Sequence, residues 1–386
     1  MTMHLRRLTC VVAAGATACL GITATAAQAD SKHGHHNLTN VLSSSVMAPF
    51  NLAVEHNTVY VADGFTNTVG ALGKAPIATG PDGGDVAGID VTTDGRTVAW
   101  TWSNADHTAT GLTVRTRGKA DVVADIAHVE ATRNPDEVNT YGVTSYGPGA
   151  DDDKKVCVDG ILAQMAGPEG QAPPSTYKGG IDSHPYSVVR SGHRWVVADA
   201  GSNVLWSVTD RGTVSTLAVL PPQPVTFTAE MASSLAAESG APADAMACLE
   251  GVTYAFEPVP TDVEVGRDGS LWVSVLPGGP ESPSLGARGA VYKVNAKTGQ
   301  AKRVAGGFLG ATNLAVAPEG TVYVTELFGG KISKIDRHGM VRTAMNFERP
   351  LSVEVHGGYL YVGQMADVDF QTGQVKAPGS IVRLKR

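Results

Sequence analysis

The side chains with the clearest chemical potential in this chain are oxygen donors that recur at one register. Asn51, Gly88, Ser187, Asp262, Asn313 and Ser352 each open a run whose next residue is apolar: Leu52, Ile89, Val188, Val263, Leu314 and Val353. Two residues beyond each opening position stand Ala53, Asp90, Val189, Glu264, Ala315 and Glu354. If these runs are strands, period-two alternation turns the apolar set one way and the small or polar set the other. Carboxylate and amide oxygens ranged around an axis are hard ligands, suited to Ca²⁺ or Mg²⁺. Asn51, Asp262 and Asn313 are the expected metal donors, with Asp199 or Glu326 as further ones. A water-filled channel lined by the same groups is the alternative. No basic residue occupies an equivalent position beside Asp90, Asp262, Glu264 and Glu354. Such a cluster must hold a cation or carry a raised pKa.

His184 precedes one of these runs, in Asp182-Ser183-His184-Pro185-Tyr186. An imidazole there suits a general base or a metal ligand, and equally a hydrogen bond that caps a loop. His184, Asp199 and Glu326 form the candidate ligand-binding set, and no residue is assigned a catalytic role. His33, His35 and His36 could capture a transition metal or belong to a linker. The chain has no Gly-x-Ser-x-Gly elbow, Walker loop, HExxH pair or CxxC pair. Gly278-Gly279-Pro280 and Gly329-Gly330 read as loop glycines, because no helix is predicted to follow and cradle a phosphate.

The elements that must position these groups come from a repeat. A small or polar residue, an apolar-x-apolar run, a turn and an aromatic-centred strand recur six times. Asn51–Val54 with Val59–Asp63 is one copy, and Asn313–Val316 with Val322–Glu326 is another. Two further strand-like runs follow most copies, such as Val204–Val208 then Thr213–Leu220. Four antiparallel strands per repeat describe a propeller blade. Leu38–Val46 precedes the first copy without a partner of its own, and Ser380–Leu384 would otherwise leave the last blade with an open edge. The expected fold is an all-β, six-bladed propeller whose N-terminal strand closes the last blade. The intervals from Trp100 to Trp195 and from Trp195 to Trp272 are roughly twice a plain blade, which places insertions at 127–183 and 222–258. Ala229–Glu238 reads as a short helix and Asp151–Lys155 as a solvated charge run.

Arg6-Arg7, the apolar stretch from Leu8 to about Ile22, and Ala27-Gln28-Ala29 form a secretory signal peptide, 1–29, with cleavage expected after Ala29. The apolar stretch is too short and too rich in small residues for a membrane span. The expected mature chain, 30–386, is one exported domain that keeps only Cys157 and Cys248. Two cysteines in an exported protein suggest a disulfide. The formal charge of -7 disfavours nucleic acid as a partner. Gly (45) and Pro (21) supply the many turns that short strands need.

Val196–Asn203, Thr216–Pro222 and Val259–Val265, with Asn134-Pro135-Asp136, His184-Pro185-Tyr186 and Thr325-Glu326-Leu327, resemble the ScyD/ScyE family of exported bacterial proteins. The resemblance runs over roughly residues 46 to 386 and implies kinship with NHL-repeat and SMP-30/gluconolactonase-like six-bladed propellers. It implies no settled reaction and supplies no catalytic residues, and the segment 137–183 with Cys157 departs from the family pattern. Two functions follow as expectations. One is a non-catalytic binding or scaffold protein whose inserted face and channel mouth hold a small molecule or protein. The other is a metal-dependent propeller enzyme, a lactonase-like hydrolase or a lyase, with a divalent cation at the channel mouth.

Overall fold

The computed structural model describes residues 39–164, 175–370 and 372–386. The predicted signal peptide, Leu38 and the histidines at 33, 35 and 36 lie outside the described residues. β-Branched and aromatic residues alternating with small polar ones give seven four-stranded sheets among the described residues. Hairpin turns such as Asp94-Gly95 and Asp268-Gly269 separate the strands, with Gly95 and Gly269 at φ 64° and 76°, where a Cβ is strongly disfavoured.

Six of these sheets are blades; five run outward in chain order, and the sixth takes its outermost strand from the N-terminal segment. Their innermost strands are Pro49–Glu55, Asp85–Val91, Pro185–Ser191, Pro260–Val265, Ala311–Val316 and Pro350–His356. Each packs against the next, and the last packs against the first, so the ring is closed. The protein is a β-propeller. Leu52, Ile89, Val188, Val263, Leu314 and Val353 all lie buried between blades. Every neighbouring pair of blades shares its own apolar core. Val196, Val263 and Val273 belong to the core between blades three and four, for example, and Val353, Val362 and Ile332 to that between five and six.

The ring is closed by its N-terminal strand. Thr39–Val46 pairs antiparallel with Gly379–Lys385 as the outer strand of blade six, Thr39 opposite Leu384 and Val46 opposite Gly379. Val46 enters the core shared by blades six and one, with Leu52, Tyr361 and Ile381. An outer edge that would otherwise present unpaired backbone groups is thereby covered.

The two insertions fold onto each other. Thr176–Lys178 and Thr140–Ser145 come from the first, Thr253–Phe256 and Gln223–Thr226 from the second, and they pair in that order as the seventh sheet. These strands are short, carry no repeat signature and find their partners across a large sequence separation, so local pattern does not reveal them. The first insertion begins with helix α1, Ile126–Arg133, and continues to α2, Asp152–Gln164. The expected helix Ala229–Glu238 is α3, N-capped by Thr228. The charge run Asp151–Lys155 stays largely exposed but forms the first turn of α2, where Asp152 and Asp153 favour the positive end of the helix dipole. Val143, Val158, Phe227, Leu235, Leu249 and Phe256 form a separate core under this cap. Cys157 of α2 is disulfide-bonded to Cys248, 91 residues away in sequence, with Cα atoms 6.4 Å apart.

Candidate functional site

Antiparallel order places both insertions and every link between second and third strands on one face of the ring. At that face each innermost strand carries an irregularity in its pairing. The register slips between Pro49 and Asn51, Pro185 and Ser187, Pro260 and Asp262, Ala311 and Asn313, and Pro350 and Ser352. Blade two slips between Val86 and Ile89. A bulge bends its strand and re-aims a side chain. Here it produces two rings from one run of residues: Phe50, Tyr186 and Leu351 join the mouth, while the residues after them turn into the channel.

The channel ring consists of latches between blades. Asn51 Oδ1 accepts from the backbone N–H of Ile89 (3.4 Å), and its Nδ2 donates to Asp262 (3.2 Å). Asp262 is fully buried, and also accepts from Ser187 Oγ (2.5 Å) and the Leu314 N–H (2.9 Å). Asn313 Oδ1 accepts from the Val353 N–H (2.8 Å), and Ser352 Oγ donates to the Pro49 carbonyl (2.6 Å). Gly88 completes the ring because a Cβ there would stand 2.7 Å from the Ser187 Cα. Of the three expected metal donors, Asn51 and Asp262 touch, while Asn313 faces blade six. A Ca²⁺ or Mg²⁺ held by this set would have to displace bonds that join the blades. Among the described residues, no three His, Cys, Asp or Glu side chains are grouped as a metal ion would require.

Deeper in the channel the carboxylates behave as their crowding demands. Asp90, Glu264 and Glu354 keep some exposure to the channel but are enclosed by protein. Burial, opposed by hydrogen bonds from the Arg190 and Val91 backbone, pushes Asp90 up to about 6. Burial and then the charges of Glu354, Asp262 and Asp90 hold Glu264 well above its ordinary value. Burial likewise pushes Glu354 up to about 8 and Asp262 to about 6.

The expected ligand-binding set is buried as well. Asp199 receives the backbone N–H groups of His184 (2.7 Å), Gly201 (3.1 Å) and Ser202 (3.2 Å), together with Ser183 Oγ and Trp206 Nε1. Glu326 accepts from the Leu309 N–H (2.8 Å) and Ser333 Oγ (2.5 Å). Asp63 plays the same part in blade one, accepting from Met47 and Ala48. All three tie the end of a second strand to the chain entering its blade, a structural task repeated around the ring.

His184 is 1 % exposed, and its Nε2 lies 2.8 Å from Asp85 Oδ2. Burial opposes the imidazolium, but the Asp85 carboxylate outweighs it and holds the ring above the ordinary histidine value. His107 stacks on His184 at 4.5 Å between centroids and contacts Asp182 through Nδ1 at 3.0 Å. Sequence reasoning missed Asp85 and His107, which come from blade two and have no spacing relation to His184.

Beside this pair the mouth is apolar. Ala48, Phe50, Ala87, Tyr186, Ala200 and Leu351 are buried there, and Phe65, Val259, Leu327 and Met365 pack partly exposed against them. Phe50 meets Tyr186 at 5.3 Å and Phe65 edge-on at 6.3 Å. Phe65 in turn meets Phe370, which is 65 % exposed beside the hairpin Asp367–Asp369 and Gln374–Ala377. The arrangement offers an aromatic surface with one charged edge.

No protein-family model matches the chain, and no curated protein does. Among solved structures it is similar to virginiamycin B lyase from Staphylococcus aureus, at 13 % identity, over 90 % of this chain and 98 % of that one, with a TM-score of 0.45. It is also similar to the PQQ-bound aldose sugar dehydrogenase of Streptomyces coelicolor, at 12 % identity, over 90 % and 97 %, TM-score 0.47. A Bacteroides thetaiotaomicron protein of unknown function is similar at 12 % identity, over 90 % and 72 %, TM-score 0.49. At these identities and TM-scores none of them bears on what this chain binds or catalyses. The propeller is defined by the strand pairing and the closed ring.

Proposed function

We propose that this protein is an exported, non-catalytic β-propeller of the ScyD/ScyE type that binds a small apolar or aromatic molecule at its axial mouth. The observation that carries this reading is the aromatic set itself: Phe50, Phe65, Tyr186 and Phe370 in successive ring contact, with Leu327 and Met365 beside them. An enzyme of the metal-dependent class needs open coordination and a free base. Asp262, Asn313, Asp199 and Glu326 are instead engaged in hydrogen bonds that hold blades and loops together. His184 faces Asp85 beneath the His107 ring. The Cys157–Cys248 disulfide fits an oxidising compartment outside the cytoplasm.

The test is a fluorescence titration of the full chain with N-phenyl-1-naphthylamine, a neutral aromatic probe. One saturable site is expected. The Phe65→Ala, Leu327→Ala double variant should bind about tenfold more weakly, which corresponds to about 1.4 kcal/mol of lost contact. The melting temperature of that variant should change little, since both side chains are only partly buried. No saturable signal, or equal affinity in the double variant, would overturn the reading.

A further inference from the structure

Several buried oxygens without partners lie where the first insertion meets blade three. Glu130, on α1, is 0 % exposed, and neither of its carboxylate oxygens has a hydrogen-bond partner. Asn134 follows one turn later, its backbone N–H bonded to the Glu130 carbonyl at 2.8 Å and its Nδ2 to the Gly179 carbonyl at 3.0 Å. Its Oδ1 has no partner. Asp136 is 1 % exposed; its Oδ2 accepts from Tyr141 (3.2 Å) and Asn203 (3.0 Å), while Oδ1 has none. Ser202, adjacent to Asn203 and fully buried, leaves its Oγ unpartnered.

Five oxygens from four side chains are thus left without hydrogen-bond partners. Buried polar groups are normally satisfied, and a set of orphaned acceptors points to a missing positive centre or water. Asp199, the charge acting most strongly on Glu130, already accepts five hydrogen bonds of its own. No Lys, Arg or His forms an ion pair with Glu130 or Asp136 among the described residues. The backbone of Gly179 presses over Asp136, where a Cβ would stand 2.1 Å from Oδ1, so a longer side chain from that side could not fill the space.

We propose that Glu130, Asn134, Asp136 and Ser202 form an internal binding site for a hard divalent cation of the Ca²⁺ type. Two carboxylates, one amide oxygen and one hydroxyl match the oxygen chemistry that Ca²⁺ accepts, and its variable coordination leaves room for water. The ion joins α1 and the turn Pro135–Val138 to the link between the second and third strands of blade three. Its role is structural, fastening the first insertion to the ring beside Ser183 and His184.

The test uses the full chain freed of metal by chelation, then titrated with Tb³⁺ and Ca²⁺. Tyr141 hydrogen-bonds Asp136 and Trp206 hydrogen-bonds Asp199, so both can sensitise Tb³⁺ emission from this site. Sensitised emission that Ca²⁺ displaces is expected, with a Ca²⁺-dependent rise in melting temperature. Glu130→Gln should abolish both effects, Ser202→Ala should weaken binding several-fold with the fold intact, and Glu354→Gln in the channel should leave both effects unchanged. The proposal fails if the wild-type chain shows neither effect. It also fails if Glu354→Gln removes them while Ser202→Ala and Glu130→Gln do not.

Discussion

Replacing Asp262 by Ala separates a latch from a metal ligand. Asp262 sits in blade four and accepts from Asn51 of blade one, Ser187 of blade three and the Leu314 backbone of blade five. The variant strands three buried donors, each costing about 1–3 kcal/mol, or roughly 3–9 kcal/mol together. Against this stands relief from burying a charge. Burial lifts the Asp262 pKa from 3.8 to about 6, which at 1.36 kcal/mol per unit is worth about 3 kcal/mol once the group is ionised. Because the folded value is the higher one, that cost is absent below the unfolded pKa and grows as pH rises through the folded value. Near pH 8 the net loss is therefore roughly 0–6 kcal/mol, centred on about 3. At a melting entropy of about 2.1 cal/mol/K per residue, this lowers the melting temperature by about 4 °C. Near pH 5, where the relief is smaller, the loss should be larger. The assay is a set of melts of wild type and Asp262→Ala at both pH values, with and without EDTA. A loss below about 1 kcal/mol at both pH values, or one that EDTA treatment of wild type reproduces, would refute the latch.

Three further outcomes follow from the same structure. Replacing Cys157 and Cys248 by Ser should destabilise the cap by about 4–5 kcal/mol in the chain-entropy picture for a loop closed over 91 residues; limited proteolysis should cut first within the insertions, and cleavage unchanged from wild type would count against this. Removing the outer strand Thr39–Val46 exposes Gly379–Lys385 as an edge, so size-exclusion chromatography should show concentration-dependent association and a lower melting temperature. Burial holds Glu354 at about 8 and, with its acidic neighbours, Glu264 well above its ordinary value. Stability should therefore fall as pH rises from about 4.5 toward 8, since the folded state holds these protons more tightly. Glu354→Gln should flatten that slope, and an equally steep slope in the variant would show that other groups cause it.

Much of the ring was legible because its signal is local and repeated. The run beginning at Asn51 and its counterparts show which residues open an innermost strand. Alternation assigns Leu52 and its equivalents to the space between blades, and the structure buries all six. The unpartnered N-terminal segment likewise pointed to the strand that pairs with Gly379–Lys385. What alternation could not show was the bulge. One extra residue at the start of each innermost strand directs Phe50 and Tyr186 to the mouth and turns Asn51 and Ser187 toward neighbouring blades. A strict period of two therefore placed the polar ring correctly but hid the hydrogen bonds that engage it.

The site depended on contacts that no spacing encodes. His184 meets Asp85 across 99 residues, Asp136 meets Asn203 across 67, and the cap pairs Thr140–Ser145 with Thr253–Phe256 from the other insertion. By itself, the sequence determined the blade strands, their order and the apolar contacts between blades, because these follow from side-chain period and turn chemistry within a few tens of residues. Only the tertiary structure decided which polar groups hold the ring together, which face carries aromatic surface, and which oxygens remain without partners. Hydrogen-bond satisfaction is a property of three-dimensional neighbours, and in a closed ring those neighbours come from different blades.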